Sequence, residues 1–176
     1  IRVVPLTVHV PLSDVSSMIS IAMIMQKTRV LDMALRRDLG INNPHIIVAG
    51  LNPHAGEDGT IGREEIEVII PAVKSLKAEG INISGPVSAD TLFHDDRHRD
   101  YDAVLAMYHD QALIPVKTLD FHGSVNVTIG LSFIRTSPDH GTALDHAGKG
   151  SANSSSLIAA INMANNMAMR RHDRNQ

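Results

Sequence analysis

Residues 45–80, HIIVAGLNPHAGEDGTIGREEIEVIIPAVKSLKAEG, decide the fold. They open on a short apolar, partly β-branched run, 45–49, of the kind that forms a buried strand. A glycine-rich loop then runs to Gly62, and Glu64-Glu65 open a helical periodicity that ends near Gly80. Acidic side chains suit the positive end of a helix dipole, and glycine suits its end. The same unit stands before it: a β-branched opening over 1–8, Ser13 as an N-cap, and apolar residues at helical spacing over 15–39 until Gly40. After it come a strand over 81–84, an irregular polar stretch over 85–101, a buried strand over 103–107 and a short helix over 111–119. A β-rich segment over 125–131, a last helix over 154–169 and a fraying charged end over 170–176 complete the chain. Such alternation predicts an α/β fold, a mainly parallel or mixed sheet flanked by helices, with ligands gathered in loops at the C-terminal ends of the strands.

Composition narrows the chemistry. With 43% hydrophobic and 20% charged residues in 176, the chain has the make-up of one ordinary globular domain. Sixteen Lys and Arg against 19 Asp and Glu leave a charge of -3, which excludes a general polyanion-binding surface, so neither nucleic acid nor a membrane is an expected partner. The absence of cysteine excludes disulfides, thiolate metal ligands and a thiol nucleophile, so any metal must take nitrogen and oxygen ligands, an option that ten histidines keep open. With three Phe, two Tyr and no Trp, the core must rest on aliphatic residues and eight Met. No apolar run reaches the length of a membrane span, and the first residues carry no basic leader, so the cytoplasm is the default location.

Three histidines take equivalent places in the pattern. His9 follows the first strand, His54 lies just past the second, and His109 follows the strand over 103–107. Parallel strands would bring these ends together, and three imidazoles from separate strands with an open position make a sensible catalytic metal site. The bland reading of each is a hydrogen-bonded structural histidine. Asp110, beside His109, and Asp90 are placed to orient ligands or touch a substrate, with a helix cap as the alternative for Asp90. Lys117, Asn126 and Arg135 lie on consecutive elements among apolar neighbours, where charges need partners. An anionic substrate is one partner; internal pairing of the cations with Asp110 or Asp120 is the other. A long loop of small residues, 139–153, leads directly into the last helix and suits close backbone approach to a ligand, yet it is not a Walker loop, and no G-x-G-x-x-G is present.

Three blocks, Gly50-Leu51-Asn52-Pro53-His54-Ala55-Gly56-Glu57, Ala106-Met107-Tyr108-His109-Asp110-Gln111 and Phe133-Ile134-Arg135-Thr136-Ser137-Pro138-Asp139-His140-Gly141-Thr142-Ala143, resemble the 4-hydroxythreonine-4-phosphate dehydrogenase family. The resemblance covers nearly the whole sequence but only about the C-terminal half of that family's chain. It implies an isocitrate/isopropylmalate-dehydrogenase-like α/β fold, and the loop 140–153 is similar to the adenosine loop of isopropylmalate dehydrogenases, with Leu144 in place of a proline. It further implies His9, His54 and His109 as ligands of one divalent metal ion (zinc, magnesium, cobalt or manganese). Lys117, Asn126 and Arg135 become substrate-binding residues, with Asp90 and Asp110 as further contacts, and Lys117 and Asp110 become the candidates for proton transfer. His140, Gly141, Thr142, Ala143, Asp145 and Asn153 become the site of NAD or NADP.

The implied reaction is NAD(P)-dependent oxidation of 4-phosphooxy-L-threonine with subsequent decarboxylation, on the way to pyridoxal phosphate, in a cytoplasmic homodimer with its active site at the subunit boundary. The implied organisation is a partial metal- and substrate-binding domain over 1–130, followed over 131–176 by the cofactor loop and a helix returning to the other domain, whose N-terminal part is absent. The alternatives are a paralogue acting on D-threonate or D-erythronate 4-phosphate, and an inactive metal-binding or protein-binding fragment.

Overall fold

The computed structural model describes residues 1–94, 99–141 and 144–173. Four short strands, β1 (Val3–Pro5), β2 (Ile46–Ala49), β3 (Ile83–Val87) and β4 (Ala103–Ala106), form one parallel sheet in the order β1-β4-β2-β3. The register pairs Val4 with Leu105, Ile47 with Val104 and Ile46 with Ile83. The two central strands, β2 and β4, are buried along their whole length, as a parallel sheet covered on both faces requires.

Strand periodicity divides the core. Ile46, Val48, Ala103 and Leu105 face one layer, where they meet Ile24, Leu31 and Leu35 of α2 (Ile21–Arg37) and Val73 and Leu76 of α3 (Ile70–Ala78). Ile47, Ala49 and Val104 face the other way, onto Leu92 and Tyr101 from the irregular segment between β3 and β4. Leu92 and Tyr101 thus cover this face, fastened by the Tyr101 hydroxyl, which donates to the Leu92 carbonyl at 2.9 Å.

The helical run expected over 15–39 is two helices, α1 (Leu12–Met18) and α2, with extended backbone at Ile19 and Ser20 between them. Ser20 is the reason: its hydroxyl accepts from the Met23 amide at 3.2 Å, so it caps α2 instead of continuing α1. Ser13 lies inside α1 and caps nothing. The helix after β4, α4 (His109–Leu119), begins two residues earlier than its periodicity indicates.

The main sheet is wholly parallel, within the mainly parallel or mixed arrangement expected. Parallel and antiparallel pairings occur in separate sheets, the second being the hairpin β5 (Val125–Thr128) and β6 (Arg135–Pro138), on which α5 (Ser155–Asp173) packs. Only β5 was visible as a periodic run, because Arg135-Thr136-Ser137-Pro138 is polar and ends in proline. Asp38, 1% exposed at the end of α2, ties this unit to the main sheet layer. It accepts from Arg37 and Arg171 at 2.7 Å each, while Arg37 and Arg171 also donate to the carbonyls of Leu131 and Ser132.

Candidate active site

The pairing of β1 with β4 continues beyond the strands. Leu6 and Thr7 amides donate to the carbonyls of Ala106 and Met107, and the Thr7 hydroxyl donates to Met107 as well, at 2.9 Å. The two chain segments therefore leave the sheet side by side, and the rings of His9 and His109 come to 5.7 Å between centroids, inclined at 41°. They face a cleft of about 270 Å³ walled also by Thr7, Tyr108 and Asp110. His9 stands at φ +52°, in the left-handed region that a non-glycine residue enters at a cost and that recurs at ligand-holding sites.

His54 emerges from β2, the neighbour of β4, in a turn of unusual geometry. Five consecutive residues are left-handed, with φ +52° at His54, +53° at Ala55, +82° at Gly56, +40° at Glu57 and +54° at Asp58. Each non-glycine member costs on the order of 1 kcal/mol, so the run survives only because its surroundings hold it. The His54 Nδ1 is bonded to Glu57 at 2.5 Å, and this bond, with a smaller contribution from Asp90, raises the imidazole above its ordinary pKa. His109 Nδ1 is likewise bonded to a carboxylate, Asp110, at 2.7 Å. A carboxylate on Nδ1 directs Nε2 outward and is the arrangement metal-bound histidines adopt.

The expected three-imidazole centre is drawn as a pair plus a neighbour. Among the described residues, no three His, Asp or Glu side chains stand close enough to hold an ion, so His9 and His109 meet while His54 stays with Glu57. By type the donors suit a divalent ion, since imidazoles lie past the ends of three adjacent strands and two of them are bonded to carboxylates.

Asp90 sits in the turn Ala89–Thr91, where it accepts from the Ser88 hydroxyl and is thereby held below its ordinary pKa, with a smaller contribution from His54. It is not a helix cap. Lys117 on α4 pairs with Asp139 at 2.8 Å and with the Asp139 carbonyl, and its ammonium lies 5.1 Å from the centre of the Phe121 ring. The internal partners expected, Asp110 and Asp120, are not the ones used. Asn126 on β5 and Asp139 line a larger cavity of about 640 Å³ that also reaches His9 and His109. Arg135 on β6 donates to the hydroxyl of its cross-strand neighbour Thr128 at 2.8 Å and is not among the walls of that cavity.

In the expected cofactor loop, His140 bonds the carbonyl of Gly141, Asp145 lies in the turn Leu144–His146, and Asn153 accepts from the Ser155 amide at 2.9 Å just ahead of α5. Thr142 and Ala143 lie outside the described residues.

Two residues escaped the sequence reading. Gln111 accepts from the Met107 amide at 2.6 Å and donates to the Gly50 carbonyl at 2.8 Å, stapling the end of β4 to the end of β2. Its place in the block Tyr108-His109-Asp110-Gln111 was the only signal. Glu65 read as a helix opener, yet it is 2% exposed and its carboxylate accepts from the amides of Leu51 and Asn52 and from the Asn52 side chain.

A parallel α/β layer with its polar residues collected where β1, β4 and β2 end defines an α/β unit of the isocitrate/isopropylmalate-dehydrogenase-like fold. The family described as pyridoxal phosphate biosynthetic protein PdxA matches residues 1–164, and the chain belongs to that family. It is 54% identical over 170 residues to a 4-hydroxythreonine-4-phosphate dehydrogenase of Paracoccus denitrificans, covering 97% of this chain and 53% of that one. A relative of the same name from Roseobacter denitrificans is 55% identical over 170 residues, covering 97% of this chain and 52% of that one. The crystal structure of a 4-hydroxythreonine-4-phosphate dehydrogenase from Klebsiella pneumoniae superposes with a TM-score of 0.85 at 45% identity, over 94% of this chain and 50% of that one. A terephthalate 1,2-cis-dihydrodiol dehydrogenase from Burkholderia xenovorans superposes at 0.76 with 32% identity, over 94% of this chain and 52% of that one. The chain thus spans about half the length of the relatives it matches. No helix among the described residues is long and apolar enough to cross a membrane.

Proposed function

We propose that this chain forms the metal- and substrate-binding part of a 4-hydroxythreonine-4-phosphate dehydrogenase. In this reading 4-phosphooxy-L-threonine loses a hydride from its secondary alcohol carbon to NAD(P)⁺ and a proton from its hydroxyl, giving a 2-amino-3-oxo acid that then releases carbon dioxide. The observation that carries the reading is the meeting of His9 and His109 across a cleft at the ends of two parallel strands, in a chain whose relatives at 54% identity bear that enzyme's name.

His9, His54 and His109 would hold the divalent ion, which when bound polarises the substrate oxygen and favours its ionised form. Zinc, magnesium, cobalt and manganese are the candidates; imidazole nitrogen suits zinc and cobalt, whereas magnesium and manganese favour oxygen and would draw more of their ligands from substrate and water. Lys117 and Arg135 grip the anionic ends of the substrate, Arg135 by its fork and Lys117 as a point charge that must exchange Asp139 for substrate. Asn126 and Asp90 supply further polar contacts, and Lys117 and Asp110 are the groups within this chain placed to move the hydroxyl proton. His140, Gly141, Thr142, Ala143, Asp145 and Asn153 receive the dinucleotide, with Asp145 on the ribose. Residues 1–130 form the metal and substrate unit, 131–176 the cofactor loop and a helix of the second unit, and the site is completed at a homodimer boundary in the cytoplasm.

The deciding experiment is metal analysis and turnover of the full-length protein with His54→Ala. Loss of bound ion and of NAD(P)H formation from 4-phosphooxy-L-threonine, with unchanged circular dichroism, is the expected result. Retained turnover, or faster turnover of D-threonate 4-phosphate by the unsubstituted protein, overturns it.

A further inference from the structure

We infer that Glu65 is the positioning residue of His54, holding the left-handed turn that carries this imidazole so that the backbone of the turn is set before any ion arrives; the inference rests on the metal site proposed above. A carboxylate 2% exposed, with no cation paired to it among the described residues, must be satisfied by hydrogen bonds, and the donors are all in one place. Oε1 accepts from the backbone amides of Leu51 and Asn52 at 2.8 and 2.7 Å, and Oε2 from the Asn52 side chain at 2.9 Å. These donors immediately precede Pro53-His54.

The glycines of the loop are cut to the same carboxylate. A Cβ on Gly50 would stand 3.3 Å from Oε1 and 2.9 Å from the Ala55 Cα, and one on Gly56 would stand 2.7 Å from Oε2. Glu65 is therefore wedged between Gly50, ahead of the turn, and Gly56, at its middle, and the positive φ angles from His54 to Asp58 are what the chain adopts in closing around it. Glu64 holds the same amide of Asn52 from the other side at 2.7 Å and accepts from Ser16 of α1, so the clamp is anchored to a second element. A carboxylate that touches neither substrate nor metal but fixes the ligand-bearing loop reduces what metal binding must order.

Cobalt(II) titration of the metal-free full-length protein, followed by its visible absorption, tests this. Glu65→Gln keeps the size and one acceptor oxygen but turns an amino group toward the Asn52 amide; Glu65→Ala removes both acceptors. We expect cobalt affinity to fall about 10-fold in the first and about 100-fold in the second, with NAD(P) KM unchanged and circular dichroism retained. Cobalt loading of the unsubstituted protein is also expected to slow hydrogen exchange at the amides of Leu51 and Asn52, a readout that does not depend on any variant folding. Folded Glu65 variants that bind cobalt within twofold of the unsubstituted protein, or exchange at those amides indifferent to cobalt, overturn the inference alone. Cobalt binding indifferent to both His9→Ala and His54→Ala overturns the metal site and the inference together.

Discussion

Glu65 and Gly56 approach so closely that a methyl group on Gly56 would lie 2.7 Å from the Glu65 Oε2, and Gly56 sits at φ +82° besides. Both facts oppose any side chain at this position. Gly56→Ala is expected to lower stability by about 1–3 kcal/mol, more than a surface substitution would, and a urea titration of the full-length protein measures it. A midpoint unchanged from that of the parent would mean that the turn relaxes freely.

The acid limb of stability should carry the mark of Glu64. The hydroxyl of Ser16, then the amide of Asn52, hold its carboxyl down at about 2 from an ordinary 4.5. Because the folded value lies below the unfolded one, the stabilisation is present in full above 4.5 and drains away as the pH falls from there toward 2. Glu64→Gln should therefore be less stable than the parent at pH 7, with the gap closing as titrations are repeated at pH 4, 3 and 2. A constant gap across that range excludes the mechanism.

Asp38 is the buried joint between the main layer and the hairpin unit. Burial pushes its carboxyl up, but hydrogen bonds from Arg37 and Arg171 outweigh this and leave it below the ordinary value. Asp38→Ala strands two guanidinium groups that are themselves part-exposed and can turn to water, so a loss of about 2–3 kcal/mol is expected, at or below the lower end for breaking a buried pair. Thermal melting resolves it, and the double variant with Arg171→Ala should lose less than the sum of the two singles.

Among the described residues the Arg135 side chain hydrogen-bonds Thr128 alone, so its removal should cost the fold little and the substrate much. In the full-length enzyme Arg135→Ala is expected to raise the KM for the phosphorylated substrate by about 10- to 100-fold with a smaller effect on kcat, and Arg135→Lys to restore only part of it. Equal KM values for parent and variant would remove Arg135 from the substrate grip.

Much of the layout could be read without coordinates because the strand runs 46–49 and 103–107 are buried on both faces and therefore uniformly apolar, and Gly40 and Gly80 punctuate the helices. Local competition hid the rest. Ser20 breaks a run whose apolar spacing passes through it unchanged, and β6 is carried by polar residues whose strand state comes from pairing with β5. The histidines were visible as strand-end residues, but which two would meet depends on strand order, and β1 lies beside β4 through partners about a hundred residues apart. The role of Glu65 was invisible for a different reason. An acidic residue opening a helix looks the same whether it faces water or is enclosed by the loop before it.

The adjacency of β1 and β4 fixes an order of assembly. Among the described strands β1 pairs with β4 alone, so the edge of β1 that β4 covers stays open until Ala106 has been made, and meanwhile its amides and carbonyls are available to other chains. His9 and His109 are brought face to face by that same late closure, so chains caught before it would display a strand edge for aggregation and no paired imidazoles for an ion.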